Sequence, residues 1–190
     1  ITDAAGNDSS TTGSTAYVLD TTAPTASVTT ANITTSGNAV VQSTETGTAY
    51  LVKTTFSVSN LASITGAADS QWNSVAISSA NTNTNLAATG LVDGTYKVYA
   101  VDAAGNLSSA STNSVTLDTT APTVSSVSTT ADNQSSVSIT DNITVTFSEA
   151  MDTTYVTTNT SDTYCSGTIM VSSDNFSTCV KMSSSPASSN

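Results

Sequence analysis

Hydrophobic positions along this chain come in short runs that alternate with polar ones. The clearest run is Tyr96-Lys97-Val98-Tyr99-Ala100-Val101, in which Tyr96, Val98 and Ala100 share one face of an extended strand. Similar short runs at 26–30, 38–42, 49–53, 56–58, 75–77, 95–101 and 114–117 are separated by Gly, Asn, Ser and Thr. Seven short strands punctuated in this way predict an antiparallel two-sheet sandwich. Val41 or Val40, Tyr96 and Val98 are expected in its core, with Phe56 and Trp72 adding bulk; Trp72 as an exposed binding aromatic is the competing assignment. The stretch Leu91-Val92-Asp93-Gly94-Thr95-Tyr96 has the form of a tyrosine corner, a turn closed by Gly94 and followed by a Tyr whose hydroxyl can reach the preceding backbone. Further on, Ile143-Thr144-Val145-Thr146-Phe147 alternates again. Nothing has the period of a long amphipathic helix. The expected fold is all-β.

Two passages occur twice. Asp3-Ala4-Ala5-Gly6-Asn7 returns as Asp102-Ala103-Ala104-Gly105-Asn106, and Asp20-Thr21-Thr22-Ala23-Pro24-Thr25 returns as Asp118-Thr119-Thr120-Ala121-Pro122-Thr123. The offsets are 99 and 98 positions, the length of a whole domain rather than of a solenoid turn. The chain is therefore expected to be an excerpt of a tandem array, beads on a string. Residues 1–19 would close one domain, 20–117 would be a complete domain, and 118–190 would begin a third of different character. The first and last are expected to be incomplete, exposing sheet edges that a missing part or a neighbouring chain would cover.

Charge narrows the function. Fourteen acids face three lysines, with no Arg and no His, for a net charge of −11. Nucleic-acid binding needs clustered cations to neutralise phosphates, so it is excluded as an expectation, and anionic membrane surfaces are disfavoured likewise. No apolar run is long enough to span a bilayer. Without His, a Ser, Thr or Cys nucleophile lacks its usual activating base, and no Gly-rich phosphate cradle is present. No enzyme activity is expected. Cys165 and Cys179 can pair in an exported chain if the fold faces them toward one another; a zinc site has too few ligands. Asn-x-Ser/Thr triplets are frequent, as a composition this rich in those residues makes them by chance.

The Asp-Gly-Thr-Tyr turn, the Asp102–Asn106 motif and the linker Leu117-Asp118-Thr119-Thr120-Ala121-Pro122 resemble the bacterial immunoglobulin-like repeats of giant secreted adhesins. From about residue 118 the chain looks like a different bacterial Ig-like type, associated with S-layer proteins, on the stretch Ile143–Asp152. The resemblance implies export to the bacterial surface, a stalk of linked domains, calcium between the domains, and no catalysis. Neighbouring Ig-like domains would be the partners. The alternative is a subunit of an extracellular filament or surface layer, completed by strand addition between copies.

Sandwich topology leads to the same place. In an Ig-type sandwich the chain enters beside the loops joining strands two to three and six to seven, here 44–47 and 102–106. Asp20, Glu45 and Asp102 can then converge, with Asn106 or backbone carbonyls completing an oxygen shell for Ca²⁺. Three carboxylates held together without a cation repel one another. At the following joint Asp118 would take the part of Asp20 and Glu149 that of Glu45, with Asp152 as an additional ligand. Asp3 would belong to an incomplete site. Without the cation, Thr21-Thr22-Ala23 would keep only the stiffness given by Pro24. The competing explanation is local: Asp-x-x-Gly-Asn makes a turn in which the Asp caps backbone amides.

Overall fold

A computed structural model describes residues 2–8, 18–129, 142–161 and 163–187. The chain divides into two compact units, Ile1–Thr119 and Thr120–Asn190. The first is a β-sandwich of two sheets. Strands β1 (Ala26–Val28), β3 (Asn38–Ser43) and β6 (Thr84–Ala87) form one, in the order β1-β3-β6. Strands β2 (Ala31–Ile33), β4 (Gly47–Lys53), β5 (Trp72–Ile77), β7 (Gly94–Asp102) and β8 (Val115–Leu117) form the other, in the order β2-β8-β7-β4-β5.

Period-two alternation places the core. On β7 the inward residues Tyr96, Val98 and Ala100 are buried, on β3 Ala39 and Val41, on β4 Ala49 and Leu51. They meet Ala26, Val28 and Leu86 of the three-stranded sheet and Val115 and Leu117 of β8. Within one face a one-residue slip would turn every one of these side chains outward, so the alternation itself fixes the register. Tyr96 is fully buried, and its hydroxyl donates to the Val92 carbonyl at 2.5 Å. The expected tyrosine corner is formed.

Several expectations are corrected. The first strand ends at Val28, and the chain crosses to the other sheet, where β2 pairs in parallel with β8. The sandwich is therefore not wholly antiparallel. β6 was not foreseen, because among Thr84-Asn85-Leu86-Ala87 only Leu86 faces the core. Residues 56–58 do not form a strand. That connection instead leads into a one-turn helix α1 (Leu61–Thr65), capped where Asn60 Oδ1 accepts the Ser63 amide at 2.9 Å and Ser63 Oγ accepts the Asn60 amide at 3.3 Å. This reciprocal cap was legible in Asn60-x-x-Ser63. Phe56 and Trp72 are half-buried and lie outside the core; Trp72 instead packs against Tyr50, with ring centroids 5.9 Å apart.

In the second unit, β9 (Val124–Thr129) and β10 (Ile143–Phe147) pair antiparallel, with an irregularity at Thr146/Phe147. Val124 and Val127 are each 57% exposed, while Phe147 and Val145, paired with them across the ladder, are half-buried. Cys165 and Cys179 are joined by a disulfide, and Cys179 is buried. Among the described residues no helix is long and apolar enough to cross a membrane.

Candidate metal centre at the domain entrance

The loop at residues 102–106 is built by its own sequence. The Asp102 carboxylate accepts the Asn106 backbone amide on Oδ1 and the Asn106 side-chain amide on Oδ2, both at 2.8 Å, while Gly105 turns the chain at φ +94°. Asp3 does the same with Asn7, at 2.9 Å for both bonds, with Gly6 at φ +89°. One motif thus gives one turn in two places. Burial pushes the Asp102 carboxyl up, but hydrogen bonds from Asn106 and from the backbone of 104–106 prevail and hold its pKa below the ordinary aspartate value. For Asp3 the bond from the Asn7 side chain is the largest cause of the same lowering.

After this turn the chain runs back along β7. Ser108 and Ser111 are buried, and their hydroxyls accept the amides of Ala100 and Val98 at 2.8 and 2.9 Å. Two serines thus take the place of a strand and pin the loop that carries Asp102.

Glu45 is brought to the same end by Gly47, which pairs with Asp102 across the β4–β7 ladder. Gly47 sits at φ +152°, and a Cβ on it would lie 2.0 Å from the Val101 carbonyl oxygen. Only glycine permits that approach. Ser43 holds the other side of the loop: its buried hydroxyl accepts the Glu45 amide at 3.2 Å.

Asp20 arrives from the linker. Thr25 and Thr44 exchange two hydrogen bonds, the Thr25 amide to Thr44 Oγ1 at 2.9 Å and the Thr44 amide to the Thr25 carbonyl at 3.1 Å. Pro24 is buried, and the Asn106 side-chain amide donates to the Asp20 carbonyl at 3.2 Å. The linker is docked by these contacts, and its stiffness does not rest on Pro24 alone. As a result one carboxylate oxygen from each of Asp20, Glu45 and Asp102 lies within 4.8 Å of the other two.

That arrangement suits a hard divalent cation. With oxygen ligands at about 2.4 Å, the widest separation of two ligands across one Ca²⁺ is about 4.8 Å. Neither lysine of the first unit compensates the acids. Lys97 pairs with Val52, and Lys53 with Tyr96, far along the same ladder; five residues of strand put Lys97 about 17 Å from Asp102. Asn106 stands beside the trio, its side-chain amide donating to Asp102 and to the Asp20 carbonyl.

The other candidates fall elsewhere. Asp118 closes the first unit, its amide donating to the Ile33 carbonyl at 3.0 Å. Asp152 caps the 3-10 turn Thr153–Tyr155, accepting the Thr154 amide at 2.9 Å and hydroxyl at 2.7 Å; the hydroxyl is the larger cause of its lowered pKa. Glu149 follows Ser148, and Ser148 repeats the grip of Thr44. The Thr123 amide donates to Ser148 Oγ at 2.9 Å, and the Ser148 amide to the Thr123 carbonyl at 2.8 Å. Glu149 Oε1 is buried with no hydrogen-bond partner among the described residues.

Residues 118–186 match the family model described as a bacterial Ig-like domain. No curated protein and no solved structure compared with the chain matches it. The match and the strand content together define an all-β, Ig-like fold. Domains of this kind are typical of bacterial surface proteins and typically non-enzymatic, which fits an extracellular structural role.

Proposed function

We propose that the chain is a stalk segment of a large extracellular bacterial adhesin or surface fibre, stiffened by Ca²⁺ where one Ig-like domain enters the next. The convergence of Asp20, from the linker, with Glu45 and Asp102, from two loops of the sandwich, carries this reading. A cation there ties the incoming chain to the domain it enters. The orphaned Glu149 oxygen supports a like role at the entrance of the second unit, because an unpaired buried carboxylate oxygen lacks the partner that would offset its desolvation. The disulfide supports an oxidising, extracellular setting.

The test is calorimetry of the whole chain in calcium and in chelator. Calcium at a hundred times its dissociation constant is expected to add about 2.7 kcal/mol to the stability of the first unit. Glu45→Gln should weaken binding about tenfold or more, since the ion loses one formal charge among few ligands. It leaves the turn at 102–106 intact. An identical melting transition with and without calcium would sink the proposal and leave the acids as turn caps.

A further inference from the structure

The outer face of the five-stranded sheet carries side chains that neither the core nor the acid trio uses. Ladder register sets them in rows across β7, β4 and β5: Lys97-Val52-Trp72 and, beside it, Tyr99-Tyr50-Ser74. These point away from the core, because their strand neighbours Val98, Ala100, Ala49 and Leu51 fill it.

The few aromatics of the first unit are thereby gathered. Tyr50 and Tyr99 are direct partners on adjacent strands, which lie about 4.8 Å apart. The Trp72 ring stands 5.9 Å from that of Tyr50, tilted by 44°. All three residues are half-buried, while Ser74 and Ala76 on β5 are exposed and too small to cover Tyr50. Trp72 Nε1 is buried with no hydrogen-bond partner among the described residues, so whatever the indole exposes is carbon. Polar groups flank the rings on both sides. A shallow cleft runs from Trp72 and Ser74 to Asp69, Ser70 and Thr89, and Lys97 stands at the other end of the Trp72 row.

We propose that this face binds a neutral glycan, a chain of β-1,4-linked hexopyranoses whose rings lie on Tyr50, Tyr99 and Trp72. The π face of an aromatic ring is negative. The axial C–H groups of such a sugar form a flat, weakly positive surface that packs against it. An open sheet face, unlike an enclosed pocket, selects a ligand that is itself flat, as an all-equatorial chain is. The sugar hydroxyls at the rim meet Asp69, Ser70, Thr89 and Lys97, which accept and donate hydrogen bonds. A net charge of −11 disfavours an acidic polysaccharide. The site lies wholly within the first unit and uses no cation, so it goes beyond the stalk reading and stands without it.

Trp72 is the chain's one tryptophan, so its fluorescence reports on this face directly. The test is titration of the whole chain with cellohexaose and with chitohexaose, in calcium and in chelator alike. At least one of the two sugars should shift the emission saturably, and a galacturonate hexamer should not. Tyr99→Ser removes one ring without touching the pair of Trp72 and Tyr50, and should weaken binding about tenfold. Ser74→Arg lays bulk beside Tyr50 from an exposed position and should weaken binding likewise, which keeps the test usable if Tyr99→Ser disturbs β7. No saturable change with either sugar, or parental affinity in both variants, would overturn the proposal. So would tighter binding of the acidic hexamer, which would assign recognition to Lys97 rather than to the rings. A shift seen only in calcium would move the sugar to the acid trio and overturn it too.

Discussion

Gly47→Ala tests the geometry on which the acid trio depends. The added Cβ would lie 2.0 Å from the Val101 carbonyl oxygen and 2.9 Å from Asp102 Cα. Ordinary contact begins near 3.5 Å, so β4 and β7 would have to part by more than about 1 Å where they hold Glu45 and Asp102. Forced overpacking costs about 1–3 kcal/mol. An L-residue at φ +152° adds backbone strain of about 1–2 kcal/mol. The expected loss is about 2–5 kcal/mol, a large share of a domain stability of about 5–15 kcal/mol. Gly105→Ala is the control, because Gly105 also has positive φ, at +94°, but a Cβ there meets nothing within 4 Å. It should show the backbone cost alone. Urea unfolding of the two variants reads the difference directly, and Gly47→Ala should also weaken calcium binding by more than its control does. Equal losses in the two variants would refute the close approach of the loops, and with it the reason for the trio.

Tyr96→Phe should cost about 0.5–1.5 kcal/mol by removing the hydroxyl donor to the Val92 carbonyl; a melting temperature unchanged from the parent would show that the corner is not what holds Asp93. In acid, the second unit should weaken through Asp174. Its carboxyl accepts the Thr178 hydroxyl at 2.6 Å and amide at 2.9 Å and the Ser172 hydroxyl at 2.7 Å, which together lower its pKa to about 2. A folded pKa below the unfolded value of about 3.9 means stability present above that pH and lost as the pH falls toward 2. Asp174→Asn should flatten this dependence in a pH series of unfolding curves, and an unaltered acid limb would argue that other carboxylates cause it.

What could be read in the chain follows from how local each feature is. The Asp102 and Asp3 turns needed only their own five residues, and the same motif makes the same bonds in both places. The tyrosine corner spans six residues, and alternation on β3, β4 and β7 fixes the core face without reference to partners. The signals that were missed were either weak or misread. The Asn60-x-x-Ser63 cap was present but overshadowed by the apolar Phe56 and Val58. Thr84-Asn85-Leu86-Ala87 is a strand only because β3 pairs with it; its own residues favour turns as much as sheets. Likewise, nothing in Ala31-Asn32-Ile33 says that it leaves β1 for the opposite sheet to run parallel to β8. The sequence alone could nominate Asp20, Glu45 and Asp102, because Ig topology orders the loops. Tertiary structure decided the distances among them, through Gly47 against Val101, the paired Thr25 and Thr44, and the serines that pin the turn. The bond from Thr119 to Asp93 was decided there entirely: the two lie 26 residues apart, and only closure of the sandwich brings that turn carboxylate to Thr119.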